Sequence, residues 1–295
     1  MIIPVALFAY ARPVLLARVL ECLRANAVPL IYAFADAPRG AGDAARVAET
    51  RSLLRSIDWC EVRLTERAEN LGLGRNILAG VSEVAAHHEA FVVWEDDLIC
   101  VPGTYQWVCA ALRHYADDER AMSVSAWTHP RVTPLDTTVP YFDGRADCWV
   151  WGGYARSWQG MSETTAAEKL VAAAARGCAA DAYGADLPAM AEVELQKNIW
   201  AVRWLSHHLA HGGLCLRPPW SMVEHIGFDA NATNAGAATD WANPPLRAVP
   251  PIPSEWPEAR EHADCRILWS EANPRQSWLS RVGRKIVRLL RRFTK

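Results

Sequence analysis

An apolar run that stops on three consecutive carboxylates constrains this chain more than any other feature. Phe91-Val92-Val93-Trp94 leads without a break into Glu95-Asp96-Asp97. Four apolar residues in a row suit a strand covered on both faces, since a half-exposed strand would alternate. Such a strand gains nothing from three acids at its end unless a cation or hydrogen-bond donors meet them. Carboxylates of this kind suit a hard divalent ion, Mg or Mn, that completes its shell with phosphate oxygens. A diphosphate held that way becomes a better leaving group, because the metal takes up charge as the bond breaks. The plainer alternative is a solvated acidic turn capping the helix that begins near Pro102.

The first half of the chain repeats the strand–helix theme. Residues 2–9 and 30–35 are further apolar runs, followed by Arg12 and Asp36. Apolar residues at helical spacing predict helices over 13–25, 43–56, 72–87 and 102–115, the first with Pro at its start, where it is tolerated. Short strands are predicted over 61–64 and 122–126, and 90–94 precedes the acids. This alternation implies an α/β fold: a mostly parallel sheet flanked by helices. In such sheets ligands bind beyond the carboxyl ends of the strands. Arg12, Asp36 and Asp96-Asp97 all fall there. The segment 69–76, ENLGLGRN, opens a helix through two glycines. Its backbone N–H groups can approach a phosphate or a sugar ring, or it is a plain turn. The second half is less regular, with helices predicted over 166–182 and 193–211 and long loops over 226–262.

Composition narrows the function classes. The chain has 295 residues, of which 51% are hydrophobic, so it buries a substantial core and is not disordered. A net charge of −2 gives no case for nucleic acid as a partner. The eight cysteines form no C-x-x-C pair and read as buried free thiols in a reducing compartment. No apolar run approaches the roughly 18 residues of a membrane span. The apolar N-terminus lacks a basic leader and a cleavage site, so it reads as a strand, and a cytoplasmic enzyme is expected. His207 and His211 share a helix face, but without the acid of an H-E-x-x-H motif they do not predict a zinc protease.

Residues 277–295, SWLSRVGRKIVRLLRRFTK, hold seven Lys or Arg and no acid. Trp278, Val282, Ile286, Leu289 and Phe293 recur at helical spacing, with the basic residues largely opposite. A helix of this kind lies in a membrane interface and is drawn to anionic lipid. The alternative is a helix packed back on the protein's own surface. The expected placement is peripheral, on the inner face of the membrane.

Four segments, NLGLGRN, VVWEDDL, Ser125-Ala126-Trp127 and DCWVWGGYARSW, together resemble the GT-A-fold glycosyltransferases related to the N-acetylglucosaminyltransferase I of N-glycan synthesis, and especially their bacterial family 2-like relatives. The match runs in order from about residue 3 to about residue 236. The resemblance implies a Rossmann-like, mostly parallel sheet, a nucleotide-sugar donor with UDP as the nucleotide, and a divalent metal. It implies an inverting transfer to a glycan or lipid-linked glycan acceptor. By the same resemblance Asp97 is the metal ligand, His225 a second ligand, and Arg12 lies near the base or ribose. Asp36 is implied to read the uracil, and Glu95 and Asp96 to contact donor sugar and ribose. Asn70, Gly72, Arg75 and Asn76 fall in the donor-binding loop. Trp149, Trp151, Gly152 and Gly153 fall in the floor of the sugar pocket. Residues 226–236 match a flexible loop that closes over the diphosphate.

One departure concerns the general base. Where the animal enzyme carries a carboxylate pair between two Trp residues, this chain has Val202-Arg203 between Trp200 and Trp204. Glu194 and Glu192, one or two turns earlier, are the candidates for the base. The expected organisation is a donor-binding half over 1–160, an acceptor-binding and catalytic half over 161–275, and a basic tail over 276–295. Two other functions compete. A sugar-nucleotide nucleotidyltransferase shares the sheet and acidic site, but the turn Ala11-Arg12-Pro13 lacks the glycines that hold a triphosphate. A catalytically inactive sugar- or membrane-binding module would explain the missing carboxylate pair.

Overall fold

The computed structural model describes residues 2–135, 137–228 and 243–275. Val5–Ala9 (β1) leads through Pro13–Ala25 (α1) to Leu30–Ala35 (β2), then Ala41–Arg55 (α2), Glu61–Glu66 (β3), Gly72–Ala85 (α3) and Ala90–Glu95 (β4). Leu98–Cys100 (β5), Thr104–His114 (α4), Ala121–Ser125 (β6), Tyr141–Asp143 (β7) and Trp151–Tyr154 (β8) follow. Then come Ala155–Trp158 (α5), Ala166–Ala175 (α6), Asp186–Glu192 (α7), Glu194–Lys197 (α8) and Ala201–His211 (α9). Leu214–Arg217 (β9), Val223–His225 (β10) and Cys265–Ala272 (α10) complete the described elements.

Eight strands form one sheet in the order β3-β2-β1-β4-β8-β6-β9-β7. Strands β3, β2, β1 and β4 are mutually parallel, and β6 is parallel to β9. Strand β8 is antiparallel to both of its neighbours, β4 and β6, and β7 closes the edge antiparallel to β9. The fold is thus α/β with a mostly parallel sheet flanked by helices.

The continuous apolar runs are explained by two cores, one on each face. Val5, Leu7 and Ala9 of β1 pack with Leu16, Val19 and Leu23 of α1 and with Trp107 and Val108 of α4. The intervening Ala6 and Phe8 pack on the other face with Ile77, Val81 and Val84 of α3 and with Trp204 and Leu209 of α9. A strand with helices on both sides has no polar face, so alternation is lost. Each fully buried Leu, Val or Phe contributes about 1.5–3 kcal/mol here.

Some expectations change. The predicted helix over 193–211 is two helices, because Asn198 takes a left-handed φ of 54° that no helix continues through. The helix predicted over 166–182 stops at Ala175. Strands β5 and β8 lie where no strand was predicted. Strand β9 lies in the same sheet as β1, and β10 pairs with β5. All eight cysteines are free thiols, and Cys100, Cys109, Cys215 and Cys265 are buried. No helix among the described residues is long and apolar enough to cross a membrane. The basic tail and residues 229–236 of the predicted closing loop lie outside the described residues.

Candidate active site at the carboxyl ends of β1 and β4

Two parallel strands deliver the acidic segment. Phe8 of β1 is in register with Glu95 of β4, so the turn after β1 lies beside the three carboxylates. The indole N–H of Trp94 donates to the carbonyl of Leu98 at 2.7 Å and clamps the turn over residues 95–98 from beneath. The backbone N–H of Tyr10 donates to Oδ2 of Asp96 at 2.7 Å. Asp96 is therefore tied to the end of β1. Arg12, at the mouth of α1, places Nη1 2.6 Å from Oδ2 of Asp97.

The short β5–β10 ladder brings in the other side. His225 pairs with Leu98 in that ladder, and its Nε2 lies 3.7 Å from the same Oδ2 of Asp97. The backbone N–H of Ile226 donates to the carbonyl of Asp97 at 2.8 Å. Trp149, which precedes β8, lies with its ring centroid 4.9 Å from His225. Phe228 lies 4.3 Å from His225 on the same measure. The result is an acidic floor with one guanidinium and an aromatic wall.

The electrostatics are those of three carboxyl groups crowded around one guanidinium. Burial, and then repulsion from Asp97 and Asp96, pushes the Glu95 carboxyl well above its ordinary range, with Arg12 opposing. Burial and Asp97 together raise Asp96 to about 8, against the lowering effect of the Tyr10 N–H and Arg12. Burial lowers His225, and Asp97 opposes that shift. One arginine does not neutralise three adjacent carboxylates. The residues present therefore fit a divalent cation: Asp97 and His225 face one point, and hard oxygen with imidazole nitrogen suits Mn or Mg. Among the described residues no group of three or more His, Cys, Asp or Glu is gathered closely enough to form a ready-made metal cage. An ion here would complete its shell from a ligand.

Several expected site residues make hydrogen bonds or packing contacts within the fold. Asp36 is 3% exposed. Its Oδ1 accepts the backbone N–H groups of Ala37 and Leu71 and its Oδ2 that of Gly72, each at 2.9 Å. It anchors the entry to α3. Asn70 fastens the same loop, donating to the carbonyl of Ala37 at 2.6 Å. Asn76 is buried and accepts from Nε of Arg67 at 3.0 Å. Gly72 has a φ of +69°. A Cβ at Gly74 would overlap the carbonyl of Asn198. The backbone N–H of Arg75 donates to Oδ1 of Asn198 at 3.1 Å. The glycines of NLGLGRN thus admit the turn at Asn198.

The aromatic block divides in the same way. Trp149 belongs to the site. Trp151 is fully buried in a cluster with Phe91, Trp158, Trp200 and Trp204. Gly152 and Gly153 lie in β8, where a Cβ would come within 2.6 Å of Leu112 on one face and 3.1 Å of Trp151 on the other. These three pack in the core.

The candidate bases lie on α7 and α8. Glu194 is 3% exposed and forms an ion pair with Arg203, the residue that replaces the missing carboxylates. Its other oxygen accepts the backbone N–H of Ala166 at 2.7 Å, at the start of α6. Glu192 is exposed at the end of α7, a helix that packs on α6 and α9. Sequence reasoning missed the Trp94 clamp, and it included Gly227 and Phe228 only as part of the closing loop 226–236. The i, i+4 spacing of Trp94 and Leu98 was the available signal for the clamp.

No family model matches the sequence, and no curated protein is similar enough to match it. Solved structures with partial likeness include a mannosyltransferase from Pyrobaculum calidifontis in complex with GDP-Man and Mn2+. It is 12% identical, with a TM-score of 0.39, over 55% of this chain and 46% of that one. A UDP-glucose pyrophosphorylase complexed with UDP-glucose is 13% identical, with a TM-score of 0.36, over 57% and 82% of the two chains. An apo UDP-glucose pyrophosphorylase is 12% identical, with a TM-score of 0.42, over 74% and 91%.

Proposed function

We propose that this chain is a glycosyltransferase that moves a sugar from a nucleotide-diphosphate donor to an acceptor hydroxyl, at the crevice lined by Arg12, Glu95, Asp97, Trp149 and His225. The observation that carries the reading is the excess of carboxylate over cation at the carboxyl ends of β1 and β4, with Arg12 and His225 converging on one oxygen of Asp97. Such a site suits a ligand that arrives as anion plus divalent metal. Asp97 and His225 would hold the metal, which would take up charge on the departing diphosphate. Arg12 lies where a guanidinium can bind diphosphate oxygens in bidentate fashion. Trp149 offers an apolar face for a sugar ring.

The finer points follow the sequence resemblance. UDP is the proposed nucleotide, Mn or Mg the metal, and inversion the stereochemical course. The proposed acceptor is a glycan or lipid-linked glycan, reached at the inner face of a membrane through the basic segment 277–295.

Donor turnover tests this reading. The protein is incubated with Mn2+ and a panel of UDP-sugars without acceptor, and UDP release is measured. Slow release from one donor, abolished by Asp97→Asn, is the expected result. Formation of UTP from UDP-sugar and pyrophosphate would instead identify a nucleotidyltransferase. No release from any donor would leave a binding module as the better account.

A further inference from the structure

The contacts at Asp97 point to an internal cation lock. We propose that Arg12 and the backbone at Gly227 close the acidic site to metal until a diphosphate draws Arg12 away, so that metal and diphosphate bind cooperatively. This rests on the metal and donor reading above.

Three features meet at one atom. First, Nη1 of Arg12 lies 2.6 Å from Oδ2 of Asp97, and both side chains are largely shielded, at 15% and 14% exposure. The guanidinium occupies the face of Oδ2 from which a divalent ion would approach, and its positive charge opposes a cation there. Second, His225 presents the wrong face for ligation. The backbone N–H of Gly227 donates to Nδ1 of His225 at 3.1 Å. A backbone N–H can only donate, so Nδ1 bears the lone pair, and the neutral ring carries its proton on Nε2. That Nε2 faces Asp97. It directs an N–H at the carboxylate, whereas a metal ligand must direct a bare nitrogen. Third, Gly227 seals the pair. A Cβ there would lie 2.7 Å from Nη1 of Arg12 and would overlap Oδ2 of Asp97. Only glycine lets the backbone lie this close.

The seal is fastened at both ends. Ile226 N–H is held by the carbonyl of Asp97. His225 exchanges two backbone hydrogen bonds with the side chain of Asn243, each at 2.9 Å. Metal entry therefore requires Arg12 to leave Asp97 and the His225–Gly227 bond to break. A displaced guanidinium in this half-buried crevice needs a new anion, and a diphosphate supplies it. Each ligand then lowers the cost of binding the other. By linkage the effect is reciprocal.

The experiment measures Mn2+ binding to the full chain by calorimetry, alone and with saturating uridine diphosphate, for the wild type and for Arg12→Gln. The wild type is expected to bind Mn2+ about tenfold more tightly with uridine diphosphate, within the usual span of coupling between sites. Arg12→Gln is expected to bind Mn2+ alone about tenfold more tightly than the wild type, with little further gain from uridine diphosphate. Gly227→Ala, whose methyl group pushes the seal off the pair, is expected to move Mn2+ affinity in the same direction and serves if Arg12→Gln does not fold. If the wild type binds Mn2+ with uridine diphosphate but the variants bind Mn2+ alone no better than wild type, the lock is wrong and the site reading stands. If the wild type binds no Mn2+ under either condition, both are overturned.

Discussion

Asp36 accepts the backbone N–H of Gly72 at 2.9 Å, and with it the N–H groups of Leu71 and Ala37. One buried carboxylate thereby fixes the loop that feeds α3 against the end of β2. Replacing it with Ala strands three shielded donors, at a cost of about 2–3 kcal/mol. Chemical unfolding of Asp36→Ala should show this loss with or without nucleotide. If stability is unchanged and only UDP affinity falls, Asp36 reads the base instead.

Gly74, in the first turn of α3, lies close against the backbone at Asn198. Gly74→Ala forces its methyl group into the carbonyl of Asn198 and should cost about 1–3 kcal/mol by overpacking. The thermal unfolding midpoint checks this. An unaltered midpoint would mean that the Asn198 turn stands off α3.

Glu194 and Arg203 are predicted to act in stability and not in proton transfer. Glu194→Ala leaves a buried guanidinium without its counter-charge and should cost about 3–5 kcal/mol. Replacing both residues with Met should recover most of that loss. A Glu194→Gln variant of normal stability that binds donor but does not turn over would make Glu194 the base after all.

Legibility followed the range of the forces involved. The bounds of α1 and β2 were readable to the residue, because Pro13 starts the helix and an unbroken apolar run marks a strand packed on both faces. The acidic triplet at the end of β4 was equally plain. Strand β8 was not, since Trp151-Gly152-Gly153-Tyr154 owes its glycines to Leu112 and the aromatic cluster, which lie far away in sequence. The same limit applied within the site. The positions of Asp36, Asp97 and Glu194 were visible as candidates, but their partners at Gly72, Arg12 and Arg203 are set by tertiary contacts. Asp36 was therefore legible as a donor-binding residue and Glu194 as a base, but not as the hydrogen-bonded anchors their contacts make them.

Buried histidines give the fold an acid limit. Burial pushes His207 and His208 down to about 3, and burial with Arg217 pushes His129 down to about 4. All three are neutral in the folded protein at neutral pH. In the unfolded chain each takes up a proton near its ordinary value of 6.5. The unfolded state thus binds more protons between 6.5 and those lowered values. Stability is full above pH 6.5 and falls as the pH drops through that window. The slope approaches about 1.4 kcal/mol per pH unit for each histidine. The histidines lower the unfolding midpoint between about pH 7 and 5, against the opposite effect of Glu95 and Asp96, whose raised values stabilise the fold as the pH falls; His208→Gln should therefore shift the profile toward greater stability at the acid end. An identical profile for wild type and His208→Gln would show that this ring takes up its proton in the fold as readily as in the unfolded chain.

The central claim is that Asp97 organises a metal-dependent nucleotide-sugar site. Calorimetric titration of UDP-sugars into the wild type and Asp97→Asn, with and without Mn2+, tests it most directly. The account predicts that a UDP-sugar binds the wild type only with Mn2+, and that Asp97→Asn loses this binding while keeping its unfolding midpoint. Binding of no nucleotide-sugar under either condition, or equal binding by Asp97→Asn, would contradict it.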